Sequence, residues 1–140
     1  MLLATHKPLD VALTQLLQRS AKILGIPSHL AVVQYSNKGV QFQCNAALAS
    51  ARILKKSPRD IAQLWIETLT VEEKSLFSIL DIAGPGFINL SLTDESLAHW
   101  VEASSQDERF FVPHSPTPKK VYLDFGGYNV AKQLHIGHLR

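Results

Sequence analysis

Ala83-Gly84-Pro85-Gly86-Phe87-Ile88-Asn89-Leu90-Ser91-Leu92 is the stretch that decides the fold. Gly-Pro-Gly reads as a tight turn, since glycine accepts positive φ and proline presets one turn angle. The six residues after it alternate strictly. Phe87, Asn89 and Ser91 therefore share one side of a strand, and Ile88, Leu90 and Leu92 share the other. The aliphatic trio is the core face. Leu76 to Ile82, before the turn, is also extended, so the two segments form a strand pair. One apolar face and one polar face is the pattern of an antiparallel sheet covered on a single side.

Upstream, Thr70-Val-Glu-Glu73 reads as a helical turn. Before it, Ser57-Pro58-Arg59-Asp60 starts a helix: Ser57 caps, Pro58 fits the first helical position, and Asp60 is a shorter stand-in for the reciprocal Glu of a capping box. Ile61, Leu64, Trp65 and Leu69 form its buried stripe, which makes Trp65 a core residue rather than a ligand platform. Asn45 is placed to cap an alanine-dense helix from Ala46 to about Lys56. Ala31 to Tyr35 and Val40 to Gln43 read as strands joined by a turn at Ser36-Asn-Lys-Gly39. Asp10 to Leu24 has the one-face spacing of an amphipathic helix, carried by Leu9, Leu13, Leu16, Leu17 and Leu24 and closed by Gly25 and Pro27.

Downstream, Thr93 caps a last helix with Asp94 and Glu95 in its first turn and Leu97, Trp100 and Val101 as its apolar side. Val112 to Pro118 holds three prolines in seven residues and reads as a linker. Val121 to Asp124 then reads as a short buried strand running into Gly126-Gly127. The expected architecture is α+β: a four-stranded antiparallel sheet with helices on one face over residues 1–111, a linker over 112–120, and the start of a second domain over 121–140.

With 140 residues, the chain has room for one domain with a sizeable core and hardly for two. Hydrophobic content of 46% and charged content of 19% are ordinary for a soluble globular protein. No apolar run approaches the ~18 residues of a membrane span. Cys44, the single cysteine, rules out an internal disulfide and fits a reducing cytoplasm. Charge is unevenly spread: residues 1–59 carry eight Lys/Arg against Asp10 alone, a net +7, whereas residues 60–109 carry a net −8 and residues 110–140 a net +3. Such a split suits one face meeting a polyanion, and equally suits charges that only solvate helix faces.

Two places invite chemistry. At the first, Phe87 stands outward beside the Asn89 amide, where an unstacked RNA base would find a stacking ring and a hydrogen-bonding edge. The alternative packs Phe87 beneath the last helix. Nearby in sequence, Arg52, Lys55, Lys56 and Arg59 form a basic run between two helices, suited either to a helix C-terminus or to phosphates. At the second, the strand ending at Asp124 feeds a glycine turn, Asn129, Lys132 and His135-Ile136-Gly137-His138. Such an arrangement places backbone N–H groups around a phosphate. The two imidazoles can donate to oxygens that gain charge, and Gly137 lets a flat base or sugar lie on the backbone. Half a metal site is the competing reading of these histidines, but no cysteine or carboxylate adjoins them and no metal is expected.

The terminal string Asn129-Val-Ala-Lys-Gln-Leu-His-Ile-Gly-His-Leu-Arg140 resembles the signature of class I aminoacyl-tRNA synthetases, and of arginyl-tRNA synthetases in particular. Gly126-Gly127-Tyr128 stands where that family usually has Ser-Ser-Pro or Gly-Gly-Pro. Gln43-Cys-Asn-Ala-Ala47, Ser57-Pro-Arg-Asp-Ile-Ala62 and Ala83-Gly-Pro-Gly-Phe-Ile-Asn89 resemble the N-terminal additional domain of the same enzymes, so the likeness covers nearly the whole chain. It implies an enzyme that activates arginine with ATP and Mg2+ and ligates it to tRNA(Arg), in the cytoplasm, as a monomer and away from membranes. In that scheme His135, His138 and Lys132 are catalytic and bind the ATP phosphates, Gly137 underlies the adenosine, and Asn129 holds arginine. Phe87 and Asn89 would contact a base of the tRNA D-loop, with Lys55, Lys56 and Arg59 on its backbone. One strand and a helix start cannot build a class I catalytic sheet, so residues 1–140 are expected to be an inactive fragment of a longer ligase. The competing expectation is a self-standing RNA-binding module with a vestigial His-Ile-Gly-His.

Overall fold

The computed structural model describes residues 7–110, 112 and 115–123. Among them are helices α1 (Leu9–Ile23), α2 (Ala46–Leu54), α3 (Pro58–Thr68), α4 (Val71–Lys74) and α5 (Asp94–Ser105), and strands β1 (Val33–Tyr35), β2 (Phe42–Cys44), β3 (Phe77–Ala83) and β4 (Phe87–Leu92). A single 3-10 turn, Ser28–Leu30, precedes β1. It occupies the approach to the strand and shortens β1 relative to the expected Ala31–Tyr35.

The strands form one antiparallel sheet in the order β1-β2-β4-β3. Its apolar face is where the sequence pattern put it. Val33, Cys44 and Ile88 lie in one cross-strand row, and Phe42 and Leu90 in the next. On them pack Leu13, Leu16 and Leu17 of α1, Ala46 and Ala47 of α2, and Ile61, Ala62 and Trp65 of α3, all buried. Removing apolar surface from water is the main term holding these layers together, roughly 25 cal/mol per Å². Trp65 is fully buried, and its indole Nε1 donates to the Leu17 carbonyl at 3.3 Å, so the ring carries no unsatisfied donor into the core. Thr14 Oγ1 accepts from the Val33 N–H at 2.9 Å and ties α1 to the edge strand β1.

Caps explain most of the helix boundaries. Ser57 Oγ accepts from the Asp60 N–H with Pro58 in the first turn, as the sequence implies. Thr70 and Glu73 close a complete capping box on α4, and the Arg19–Glu73 ion pair at 3.2 Å links that turn to α1. Thr93 Oγ1 accepts from the Ser96 N–H at the start of α5.

Four expectations need correction. Asn45 precedes α2 but its side chain makes no capping bond, because its backbone angles (φ −105°, ψ 9°) already sit near the helical region rather than the extended one a cap needs. α2 stops at Leu54 instead of about Lys56, since Lys55 turns left-handed at φ 51°. On α5, Leu97 and Trp100 are half-buried but Val101 is 56% exposed, so its apolar side is narrower than the spacing suggested. Val121–Leu123 form no strand and are exposed: no described strand lies alongside to receive their backbone hydrogen bonds. The glycine turn at 126–127 lies outside the described residues.

Candidate nucleic-acid interface

The second face of the sheet belongs to the residues between the core positions. Cross-strand register sets Gln34, Gln43, Asn89 and Asp81 in one row across all four strands. Side chains at paired positions of antiparallel strands point the same way, so this row is a continuous band of amides and one carboxylate. Ala83 and Phe87 form the next pair towards the hairpin, and Ile79 and Ser91 the next pair the other way. α1, α2 and α3 all pack against the opposite, apolar face.

Phe87 is half-buried on this second face, at the base of the Gly84-Pro85-Gly86 turn. Asn89 is more enclosed than an outward amide on the sequence pattern would be. It is 9% exposed, and its Oδ1 accepts from Gln43 Nε2 at 2.8 Å. Ser91, 7% exposed, accepts at Oγ from the Gln41 N–H, while Gln41 Oε1 accepts from the Leu92 N–H. A central strand is flanked by two neighbours, whose side chains enclose short polar ones even without a covering layer. Outward direction in the alternation is thus not the same as exposure.

The basic run meets this surface through the hairpin. Gly86 takes φ +141°, and a Cβ there would fall 2.8 Å from the Pro58 carbonyl group, so the turn presses directly on the start of α3. Arg59 Nη1 donates to the Gly84 carbonyl at 3.0 Å. Lys55, Lys56 and Arg59 are all exposed in the corner between α2 and α3. The corner that carries the cations therefore abuts the turn that carries Phe87. On the other side of Arg59 a cleft runs between α3 and β3, lined by Asp60, Gln63, Leu80 and Asp81 among others. Its two carboxylates against one guanidinium make it a poor bed for phosphate.

Asn129, Lys132, His135, Gly137 and His138, and with them the ATP, Mg2+ and arginine readings, lie outside the described residues. Among the described residues, no group of three or more His, Cys, Asp and Glu is arranged to hold a metal ion, and no helix is long and apolar enough to cross a membrane. Sequence reasoning missed Gln43 and Asp81 as neighbours of Asn89, and Gln34 as the residue beyond Gln43 in their row. The Gln41-x-Gln43 spacing shows that two amides share a face, but which residue each one meets depends on the β2–β4 register, which no local pattern encodes.

A four-stranded antiparallel sheet with helices packed on one face, and a band of amides beside an aromatic on the other, defines a two-layer α+β domain. Residues 8–92 match the family described as "Arginyl tRNA synthetase N terminal domain". The chain belongs to that family. It is 44% identical over 110 residues to the arginine–tRNA ligase of Picosynechococcus sp., covering 78% of this chain and 18% of the relative. It is 36% identical over 139 residues to that of Thermosynechococcus vestitus, covering 99% and 24%, and 41% identical over 99 residues to that of Pseudoalteromonas translucida, covering 71% and 17%. The chain thus spans between about a sixth and a quarter of the length of these curated relatives.

Proposed function

We propose that this domain is the tRNA-reading part of an arginine–tRNA ligase and binds a base of the tRNA D-loop on the second face of its sheet. One observation carries the reading. A half-buried aromatic ring and a row of amides lie side by side on a face that α1, α2 and α3 leave alone, and the α2–α3 corner beside them is cationic. Phe87 supplies the stacking surface, Asn89 the base-edge contact, and Lys55, Lys56 and Arg59 the phosphate contacts. The work is positional: binding the loop here fixes the orientation of the tRNA relative to whatever performs the chemistry. Asn129, Lys132, His135, Gly137 and His138 would serve arginine and ATP in the ligase reaction, on the strength of the sequence resemblance, and the setting would be the cytoplasm.

The test is a titration of the chain with a tRNA(Arg) transcript and with the same transcript carrying an unrelated D-loop. The D-loop exchange should weaken binding by about tenfold, the loss expected for one stacked, hydrogen-bonded base. Equal affinity for the two transcripts would overturn the reading.

A further inference from the structure

Phe87 can serve as a stacking platform only if its ring is held where a base arrives, and the ring stands on a turn. A Cβ built on Gly84 would fall 3.7 Å from Phe87 Cδ2, so the ring edge lies against the first glycine of that turn. The carbonyl of the same glycine accepts from Arg59 Nη1 at 3.0 Å. We infer that Arg59 is a positioning residue for the stacking ring. It ties the Gly84 carbonyl to α3 and offers its remaining N–H groups to the RNA backbone, so that phosphate and base are met at a preset spacing. This role rests on the interface reading above and adds how the cationic corner and the ring are joined.

Both ends of the link are anchored. Arg59 is the second residue of α3, whose start is fixed by the Ser57 cap and by Pro58. On the hairpin side, Gly86 presses on Pro58, and its N–H donates to the Ala83 carbonyl at 3.2 Å, which closes the turn. The turn therefore meets α3 at two points, one a close backbone approach and one a hydrogen bond. A guanidinium carries five donors in a rigid plane. Among the described residues Arg59 donates to Gly84 alone, and its side chain is exposed, so donors remain for a phosphate. Lys55 and Lys56 share the corner and its charge, but among the described residues no hydrogen bond links them to the hairpin. All three cations draw the backbone in; Arg59 alone carries that contact through to the turn beneath Phe87.

Arg59→Lys keeps the charge and loses the plane, since an ammonium on a flexible stem cannot hold carbonyl and phosphate in one fixed arrangement. It should leave the salt dependence of tRNA(Arg) binding as in wild type and weaken affinity by about twofold to fivefold, the range of one exposed hydrogen bond. In a Phe87→Ala background the same substitution should cost nothing further, because the ring it positions is gone. In the free chain, the Phe87 ring signals in carbon–proton NMR should shift and broaden in Arg59→Lys, while the Trp65 indole signal stays in place and reports an intact core. Undiminished affinity in Arg59→Lys means that charge alone suffices and overturns the inference. An equal loss in both backgrounds, or an unmoved Phe87 ring, overturns it too, and each of these results leaves the interface standing. If instead Phe87→Ala binds tRNA(Arg) as wild type does, the interface reading fails and the positioning role falls with it.

Discussion

At the scale of single residues, Phe87 separates a binding role from a packing role. It is half-buried on the face away from the main core, so Phe87→Ala should cost well below the ~3–5 kcal/mol of a fully buried phenylalanine, while tRNA affinity falls by about tenfold. Thermal melts beside a titration check both halves. Lys55 is the converse case. It holds a left-handed angle, φ 51°, at the end of α2, a position that suits glycine. Lys55→Gly should raise stability by about 1 kcal/mol in a denaturant titration and weaken RNA binding, since a cation leaves the α2–α3 corner. Cys44 adds a pH signature. Burial pushes its thiol up from the ordinary cysteine range, with hydrogen bonds to the backbone at Ala46 and Val32 opposing that rise. A pKa raised on folding gives stability that is present below the unfolded thiol's pKa and lost as pH climbs from there through the folded value. Melts of wild type should therefore decline more steeply above pH ~8.5, the free-thiol range, than melts of Cys44→Ala.

Between elements, the β3–β4 hairpin is seated on α3 by a contact that only glycine permits. Gly86→Ala would place a methyl group 2.8 Å from the Pro58 carbonyl, at a φ of +141° that other residues avoid. It should cost roughly 1–3 kcal/mol, and the damage should show in tRNA affinity too, because the same turn carries Phe87. A urea melt alongside the titration measures both. The hairpin also shows what a sequence reveals and what it withholds. Strict alternation over Phe87–Leu92 gave strand, turn and core face directly, and Ser57, Thr70 and Thr93 gave helix starts, because caps and alternation are local. The close approach of Gly86 to Pro58, the Arg59 bond to Gly84 and the pairing of Gln43 with Asn89 join segments 25 to 46 residues apart. No local rule reaches across such distances. That is why Phe87, Asn89, Lys55, Lys56 and Arg59 could be nominated one by one, while the amide row that joins three of the strands to Asn89 could not. Lys55 was misjudged for a related reason: propensity favours lysine inside a helix, and the sharp corner into Pro58 ends it first.

For the whole molecule, the concentration of positive charge in residues 1–59 has a measurable consequence. If Lys55, Lys56 and Arg59 are the phosphate contacts, the logarithm of tRNA affinity should fall against the logarithm of salt concentration with a slope of about −2 to −3. Replacing any one of the three with alanine should reduce the slope's magnitude by roughly 0.7–0.9, whereas Phe87→Ala should leave it unchanged. Slopes that respond equally to all four substitutions would refute this division of labour. The strand order carries a further consequence. β2 and β4 are neighbours in space, yet Gln43 and Asn89 are 46 residues apart in the chain, with α2, α3, α4 and β3 between them. Joining them closes a loop whose entropy cost is roughly 3 kcal/mol before any contact offsets it. During synthesis Gln43 leaves the ribosome well ahead of Asn89, and the hairpin bearing Phe87 is among the last parts of the sheet to arrive. A half-made domain consequently has no Phe87–Asn89 surface at all: that face is completed in a single step, when the final strand slots in between two that are already waiting.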